Sequence, residues 1–153
     1  MSRFTLLIAM LCAALPLAAC GGATSTAADE QARVVGGSHG VPRLTIPPGP
    51  APKKLVIKDL KKGTGKPIKH MSDEIAVDYV GVNYRTGKVE YNTFNWAGPV
   101  RYILSGTHRG WQIGLMGMRE GGERELIDPP RLTYGPGTDP LIYVVYLREV
   151  TYR

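Results

Sequence analysis

The sequence predicts an α+β domain in which an antiparallel sheet carries one short helix across it, and three observations support this fold class. Nineteen glycines and twelve prolines among 153 residues indicate many turns, which suits a sheet better than a helical bundle. Residues 75–80 alternate between two faces with the period of a β-strand. Trp111, Leu115 and Met118 follow the i, i+4, i+7 spacing of one apolar helical face.

The predicted strands follow one another through the second part of the chain and are separated by turns rich in glycine or proline. They cover residues 55–57, 75–80, 89–91, 101–104, 123–127 and 141–150. The last strand is apolar on both faces, which predicts a central position in the sheet. Gly114 and Gly117 lower the helix propensity of the intervening segment, so we expect a short helix that is held by packing.

Residues 1–19 have the pattern of an export signal. Arg3 precedes an almost wholly apolar run at residues 4–17, which is short for a membrane span. The segment Leu-Ala-Ala-Cys-Gly at residues 17–21 resembles a bacterial lipobox, which implies cleavage before Cys20 and lipidation of its thiol. The alternative is an ordinary secretory signal of the Ala-x-Ala type, in which Cys20 is incidental.

A lipid-anchored protein of the cell envelope is the localisation that these features predict. Gly21 follows Cys20, where an aspartate would resemble an inner-membrane retention signal, so we expect the outer membrane, facing the periplasm, if the source is Gram-negative. Cys12 lies inside the predicted signal, so the mature chain would have no free thiol and no internal disulfide.

Residues 20–52 are predicted to form a flexible tether rich in glycine, serine, threonine and proline, and residues 53–153 a folded domain. The tether ends in a proline-rich spacer at residues 47–52. The alternative is that residues 34–35 and 44–46 pair with an edge of the sheet.

The formal net charge of +6 is compatible with a solvated basic face or with contact to anionic lipid. A nucleic-acid partner is not predicted, because the chain is predicted to be exported. It also lacks the pattern of basic residues interleaved with exposed aromatics that such a partner requires. His39, His70 and His108 are far apart and lack partners at metal-ligand spacing, so no metal and no cofactor is predicted. We expect a monomer.

Residues 54–150 resemble the FK506-binding-protein family of peptidyl-prolyl cis-trans isomerases, and the order of the matching motifs carries the resemblance. The family's Val-x-Tyr-x-Gly strand is matched at residues 77–81, and its Ala-Tyr-Gly at residues 133–135. Other matches lie at residues 85–88, 89–93, 99–104, 110–111, 114, 118 and 121–124.

The resemblance implies a half-barrel sheet wrapped around the helix, with a shallow pocket for a prolyl ring between them. The catalytic positions that it implies are Trp111 as floor, Tyr79, Tyr91 and Tyr143 as walls, Asn92 as a polar wall and Tyr134 as a hydrogen-bonding lip. The substrate-binding positions that it implies are Val100, Tyr102, Thr107 and the backbone N–H of His108.

The sequence departs from the family in two places that affect the predicted isomerase activity. Asn92 stands where the family has an aspartate, and residues 93–99 contain no basic residue, so both halves of the family's ion pair are absent. The loop at residues 136–140 is shorter than in the family and lacks its two branched apolar residues, which predicts a more open groove.

The predicted function is isomerisation of Xaa-Pro bonds in exported polypeptides at the cell envelope, with reduced or altered activity. An aromatic pocket with few ionisable groups suits this chemistry, because amide rotation requires no nucleophile and is opposed by a resonance barrier of about 18–20 kcal/mol. The alternative is a peptide-binding or chaperone module of the same fold with little catalysis.

Overall fold

The structure is a computed structural model that describes residues 33–35 and 42–153. The predicted signal segment, Cys20 and most of the predicted tether lie outside the described residues. No helix in the described ranges is long and apolar enough to cross a membrane.

Eight strands and one α-helix make up the described part of the chain. The strands are β1 (Arg33–Val35), β2 (Leu44–Ile46), β3 (Val56–Lys61), β4 (Glu74–Asn83), β5 (Val89–Asn92), β6 (Val100–Ile103), β7 (Glu123–Asp128) and β8 (Leu141–Thr151). The helix α1 spans Arg109–Gly114, and two 3₁₀ turns span Leu104–Gly106 and Pro130–Leu132.

Six of the strands form one open antiparallel sheet in the order β3-β7-β8-β4-β5, and β6 also pairs with β4. The pairing of β4 with β8 is the longest, running from Glu74 opposite Thr151 to Asn83 opposite Leu141. The outer edge of β4 is divided, because its first half pairs with β6 and its second half with β5. The predicted fold class and the central position of the last strand are therefore confirmed.

The helix α1 lies on one face of this sheet. Trp111, Leu115 and Met118 are buried in a core cluster with apolar residues of β4, β7 and β8, as their spacing predicts. The helix is shorter than the stripe, since Leu115 is its C-cap and Gly117 adopts a positive φ of 77° before Met118. A Cβ at Gly114 would lie 2.7 Å from the side chain of Leu126, so the glycine permits the close approach of α1 to β7.

The second face of the sheet is covered by β2, so residues 44–46 belong to the folded unit and not to the predicted tether. Leu44 is 2% exposed and Ile46 is fully buried, and both pack in a second cluster with residues of β4, β7 and β8. The cover is needed because β4 and β8 carry apolar side chains on both faces. β1 and β2 pair with each other rather than with an edge of the main sheet.

The edge strand β3 is exposed along its whole length and carries Lys58 and Lys61. Charged side chains on an exposed edge oppose pairing with another chain. This placement agrees with the interpretation of the positive net charge as a solvated basic face.

We expect substitution of Leu44 by alanine to lower the free energy of unfolding by about 2–5 kcal/mol, as for other fully buried leucines. Thr45, which is exposed on the same strand, provides the matched control, and Thr45→Ala should change stability by about 0.5 kcal/mol or less. Urea denaturation followed by circular dichroism measures both. Equal, negligible effects would show that β2 contributes nothing to the fold.

Candidate active site

A cavity of about 210 Å³ lies between α1 and the sheet. This volume is below the range of roughly 300–1,000 Å³ that is usual for drug-sized ligands, so it suits a single small ring. The cavity is lined by Tyr79, Tyr91, Tyr102, Gly106, Thr107, His108, Trp111, Tyr134 and Tyr143. The structure thus brings together eight of the ten residues that the sequence predicts for the pocket.

The floor of the cavity is Trp111, which is 3% exposed. Three tyrosine rings meet the indole nearly edge-on: Tyr79 at 4.9 Å and 84°, Tyr143 at 5.6 Å and 80°, and Tyr102 at 5.9 Å and 88°. Such aromatic pairs contribute about 0.5–1.5 kcal/mol each beyond their buried area. The floor is therefore held in one orientation before any ligand arrives.

The walls depend on a glycine in the middle of the sheet. Gly81 on β4 lies opposite Tyr91 of β5 on one side and Tyr143 of β8 on the other. A Cβ at Gly81 would lie 2.7 Å from the ring of Tyr143 and 2.8 Å from the ring of Tyr91. This close approach explains why the Val-x-Tyr-x-Gly motif at residues 77–81 has a glycine two residues after its tyrosine.

Four of the five phenol groups that line the cavity form two hydrogen-bonded pairs. Tyr91 donates to the hydroxyl of Tyr134 at 3.0 Å, and the hydroxyls of Tyr79 and Tyr102 lie 3.2 Å apart. The hydrogen bond to Tyr134, together with burial, raises the pKa of Tyr91 to about 12, and burial raises the pKa of Tyr79 and of Tyr143. These three phenols stay neutral at physiological pH and can donate hydrogen bonds.

His108 and Asp128 meet at the side of the cavity where α1 begins. The imidazole of His108 stacks on Tyr143 at 5.4 Å, and its Nδ1 lies 3.2 Å from the carbonyl oxygen of Leu132 and 3.5 Å from Oδ2 of Asp128. Burial lowers the pKa of His108 to about 4 and raises the pKa of Asp128 to about 7. Both groups are therefore uncharged at mildly acidic pH.

Sequence reasoning missed Asp128 and Gly106. Asp128 ends β7, and its side chain is fully buried against Gly110, whose added Cβ would lie 2.3 Å from Oδ2. The sequence signal for Asp128 is a carboxylate that follows Leu126 and Ile127 and directly precedes two prolines. Its proximity to His108 requires the tertiary fold, since twenty residues separate the two.

Thr107 and His108 are fixed by the loop before α1. The hydroxyl of Thr107 donates to the carbonyl of Leu104 at 2.7 Å, so it is turned towards the 3₁₀ turn. The side-chain amide of Gln112 donates to the carbonyls of Thr107 at 2.7 Å and Ser105 at 3.0 Å. These bonds tie the rim of the cavity to the helix.

Asn92 and Val100 are not among the residues that line the cavity. The Oδ1 of Asn92 accepts a hydrogen bond from the backbone N–H of Phe94 at 3.1 Å, so the side chain closes a local turn. Val100 pairs with Val77 in the ladder of β6 and β4, and Tyr102, two residues on, forms the wall instead. The polar wall implied for Asn92 is supplied by the hydroxyl pair of Tyr79 and Tyr102.

The short loop at residues 136–140 is folded back towards the end of β4. Asp139 accepts a hydrogen bond from the side chain of Asn83 at 3.0 Å and forms an ion pair with Arg85 at 3.2 Å. No residue of this loop lines the aromatic cavity. The more open groove that the short loop implies stays a prediction.

A larger cleft of about 1000 Å³ lies elsewhere on the surface. Prolines and glycines dominate its lining, which comprises Gly49, Pro50, Ala51, Pro52, Lys53, Tyr84, Arg85, Pro129, Pro130, Arg131, Pro136, Gly137 and Pro140. We place the candidate site in the smaller cavity, because only there do several aromatic rings and hydroxyls of the described residues converge.

Within the described ranges, no three His, Cys, Asp or Glu side chains are grouped so that they could hold a metal ion.

Known proteins share this fold and these motifs. A family model described as FKBP-type peptidyl-prolyl cis-trans isomerase matches residues 65–146. A probable FK506-binding protein of Corynebacterium glutamicum is 39% identical over 95 residues, which are 62% of this chain and 80% of the relative. An FK506-binding protein of Streptomyces anulatus is 38% identical over 96 residues, which are 61% of this chain and 77% of the relative.

Solved structures agree with the sequence comparison. The crystal structure of FkpA from Escherichia coli superimposes with a TM-score of 0.58 and 32% identity. The match covers 63% of this chain and 48% of FkpA, so this chain corresponds to about half of that protein. From the family model, the relatives and the shared fold, we conclude that the chain belongs to the FKBP-type peptidyl-prolyl cis-trans isomerase family.

Proposed function

We propose that this isomerase binds Xaa-Pro segments of exported polypeptides in the aromatic cavity and assists their folding at the cell envelope. The observation that carries the proposal is the small cavity floored by Trp111 and bordered by a hydroxyl, that of Tyr134, which another hydroxyl orients. Uncatalysed prolyl isomerisation takes tens of seconds or more and can limit folding, so a catalyst is useful wherever chains fold after export.

Exclusion of water from the amide is the first element of the proposed mechanism. A prolyl ring seated on Trp111 would have tyrosine rings on several sides. The planar amide is stabilised by a charge-separated resonance form, which an apolar surrounding disfavours relative to the twisted amide. The cavity therefore favours rotation without any covalent step.

Tyr134 supplies the second element. Its oxygen accepts a hydrogen bond from the hydroxyl of Tyr91, so its own O–H is left to donate to a carbonyl oxygen of the bound peptide. The side chain is 60% exposed at the rim, where an arriving chain first meets the cavity. The backbone N–H of His108, at the N-cap of α1, is assigned to a second carbonyl by the resemblance to the family.

We expect this protein to isomerise Xaa-Pro bonds more slowly than other family members, because the polar wall of its cavity is uncharged. The hydroxyl pair of Tyr79 and Tyr102 lacks the charge of the family's ion pair, so it orients the substrate carbonyl less strongly. The open side left by residues 136–140 reduces contact with the residues that flank proline. The same two features favour the second candidate function, a peptide-binding module with little catalysis.

Anchoring by lipid at Cys20 is the part of the proposal that rests on sequence alone. The apolar segment and the Leu-Ala-Ala-Cys motif support it. Two or more acyl chains give stable attachment, since each buried methylene contributes about 0.8 kcal/mol. A tether between Cys20 and β1 would hold the cavity away from the bilayer.

We expect a protease-coupled assay on Xaa-Pro tetrapeptides to show turnover above the uncatalysed background. Unfolded polypeptides with Xaa-Pro bonds should also bind, and a proline-free variant of the same polypeptide serves as control. If turnover equals background while unfolded chains still bind, the enzyme assignment is wrong and the binding module is right.

We expect Tyr134→Phe to lower kcat/KM by about 2–10-fold, the equivalent of one hydrogen bond of about 0.5–1.5 kcal/mol. Trp111→Ala should lower it far more, partly by destabilising the fold, so Trp111→Phe is measured beside it as a folded variant. Tyr152→Phe is the matched control, because that hydroxyl donates to Pro67 outside the cavity. Equal and negligible effects at Tyr134 and Trp111 would contradict the assignment of the cavity.

We expect mass spectrometry of the mature protein to find a diacylglyceryl group on an N-terminal Cys20. Cys20→Ser should release the protein from the membrane fraction without changing its activity on peptides, because the domain itself is unaltered. Cleavage at another position, or an unmodified Cys20, would refute the anchor.

A further inference from the structure

The side chain of His108, which lines the cavity, and that of Asp128, which lies buried behind it, form a polar pair that the mechanism above does not use. Asp128 is fully buried, and neither of its carboxylate oxygens has a hydrogen-bond partner in the described part of the protein. Nδ1 of His108 lies 3.5 Å from Oδ2, which is longer than an ordinary hydrogen bond.

A purely structural role does not explain the pair. Burying a carboxylate without a donor costs free energy, and an apolar side chain of similar size would pack there without that cost. Asp73 differs in that one oxygen of this fully buried carboxylate, Oδ2, accepts hydrogen bonds from the backbone N–H groups of Lys69 at 2.8 Å and His70 at 2.9 Å, so only its Oδ1 is without a partner among the described residues. Poorly compensated ionisable groups in a cavity are typical of functional sites.

The geometry determines which nitrogen of His108 carries the proton. Nδ1 faces two acceptors, the carbonyl oxygen of Leu132 and Oδ2 of Asp128, so it is the nitrogen that bears hydrogen when the carboxylate is ionised. Nε2 is then an unprotonated acceptor. Because the ring lines the cavity and its Nδ1 is committed to these two groups, Nε2 is the nitrogen available to a ligand.

The other ring contacts of His108 leave this proton arrangement undisturbed. They are with Trp111 of α1, Tyr134 of the rim and Tyr143 of β8. The indole carries no charge, and burial keeps the Tyr143 phenol protonated by raising its pKa. Arg109, next to His108 on α1, directs its guanidinium to the side-chain oxygen of Gln112 at 3.2 Å.

We propose that the imidazole of His108 contacts the bound peptide, with Nε2 accepting a hydrogen bond from a backbone N–H beside the proline, and that Asp128 is the residue that positions this tautomer. The inference deepens the proposed function and rests on it, since the ligand is the same Xaa-Pro peptide. The carboxylate acts through the imidazole, in the way that hydrogen-bonded acceptors fix the tautomer of functional histidines.

The test is ¹⁵N NMR of the histidine side chains at pH 8, above the pKa values of both His108 and Asp128. In the free protein, His108 should show a protonated Nδ1 and an unprotonated Nε2. Saturation with an Ala-Leu-Pro-Phe peptide should shift Nε2 of His108, while the exposed His70 serves as internal reference. Two control peptides identify the N–H that His108 contacts. N-methylation of the Phe nitrogen removes the N–H that follows proline, and N-methylation of the Leu nitrogen removes the N–H that precedes it.

Substitutions separate positioning from packing. Asp128→Asn keeps the size of the side chain but removes the carboxylate, so the proton on Nδ1 is held by the carbonyl oxygen of Leu132 without the negative charge. The fraction of rings protonated on Nε2 should then rise, and the peptide affinity should fall several-fold. His108→Leu should make the affinity insensitive to either N-methylation. Asp73→Asn, at the buried carboxylate outside the cavity, should alter neither the tautomer nor the peptide affinity.

The outcomes distinguish this inference from the function on which it rests. A protonated Nε2 in the free protein, or an Nε2 resonance unchanged at peptide saturation, overturns the inference while turnover leaves the proposed function standing. Equal affinity for the parent and both N-methylated peptides overturns it as well. Absence of any peptide binding, with the resonances of Trp111 and Tyr134 unmoved, overturns the proposed function and the subsite with it.

Discussion

The packing of Trp111 against three tyrosine rings is the interaction on which the cavity depends. It joins α1 to β4, β6 and β8, so the element that forms the floor also holds the helix on the sheet. Because the rings meet nearly at right angles on several sides, the indole is held in one orientation at the bottom of the cavity. Fold stability and substrate binding thus share one residue, and a change there affects both.

The sheet imposes a second constraint, since β4 and β8 are apolar on both faces. One face is covered by α1 and the other by β2, which brings Leu44 and Ile46 into the folded unit. The segment that the composition assigns to a tether therefore stabilises the strands that carry Tyr79 and Tyr143. Attachment to a membrane, if Cys20 is the anchor, would begin just upstream of a structural element of the domain.

The sequence predicts much of this molecule because its signals are local. Alternation at residues 75–80, the apolar stripe from Trp111 and the order of the aromatic motifs suffice for the sheet, the helix and the floor. The roles of Asn92 and Asp128 could not be predicted from local signals. The side chain of Asn92 closes a local turn with Phe94, and Asp128 approaches His108 only in the folded protein. Residues 44–46 were considered only as a possible edge strand, because two apolar residues beside prolines do not reveal that they cover a face of the sheet.

The central claim is that a proline ring binds on Trp111 and not in the larger proline-lined cleft. An isotope-filtered NOE experiment on the protein saturated with a proline-labelled Xaa-Pro peptide tests it most directly. The account predicts contacts from the proline ring protons to the indole of Trp111 and the ring of Tyr143. Contacts to Arg131 and Pro136 of the larger cleft, with none to Trp111, would contradict it.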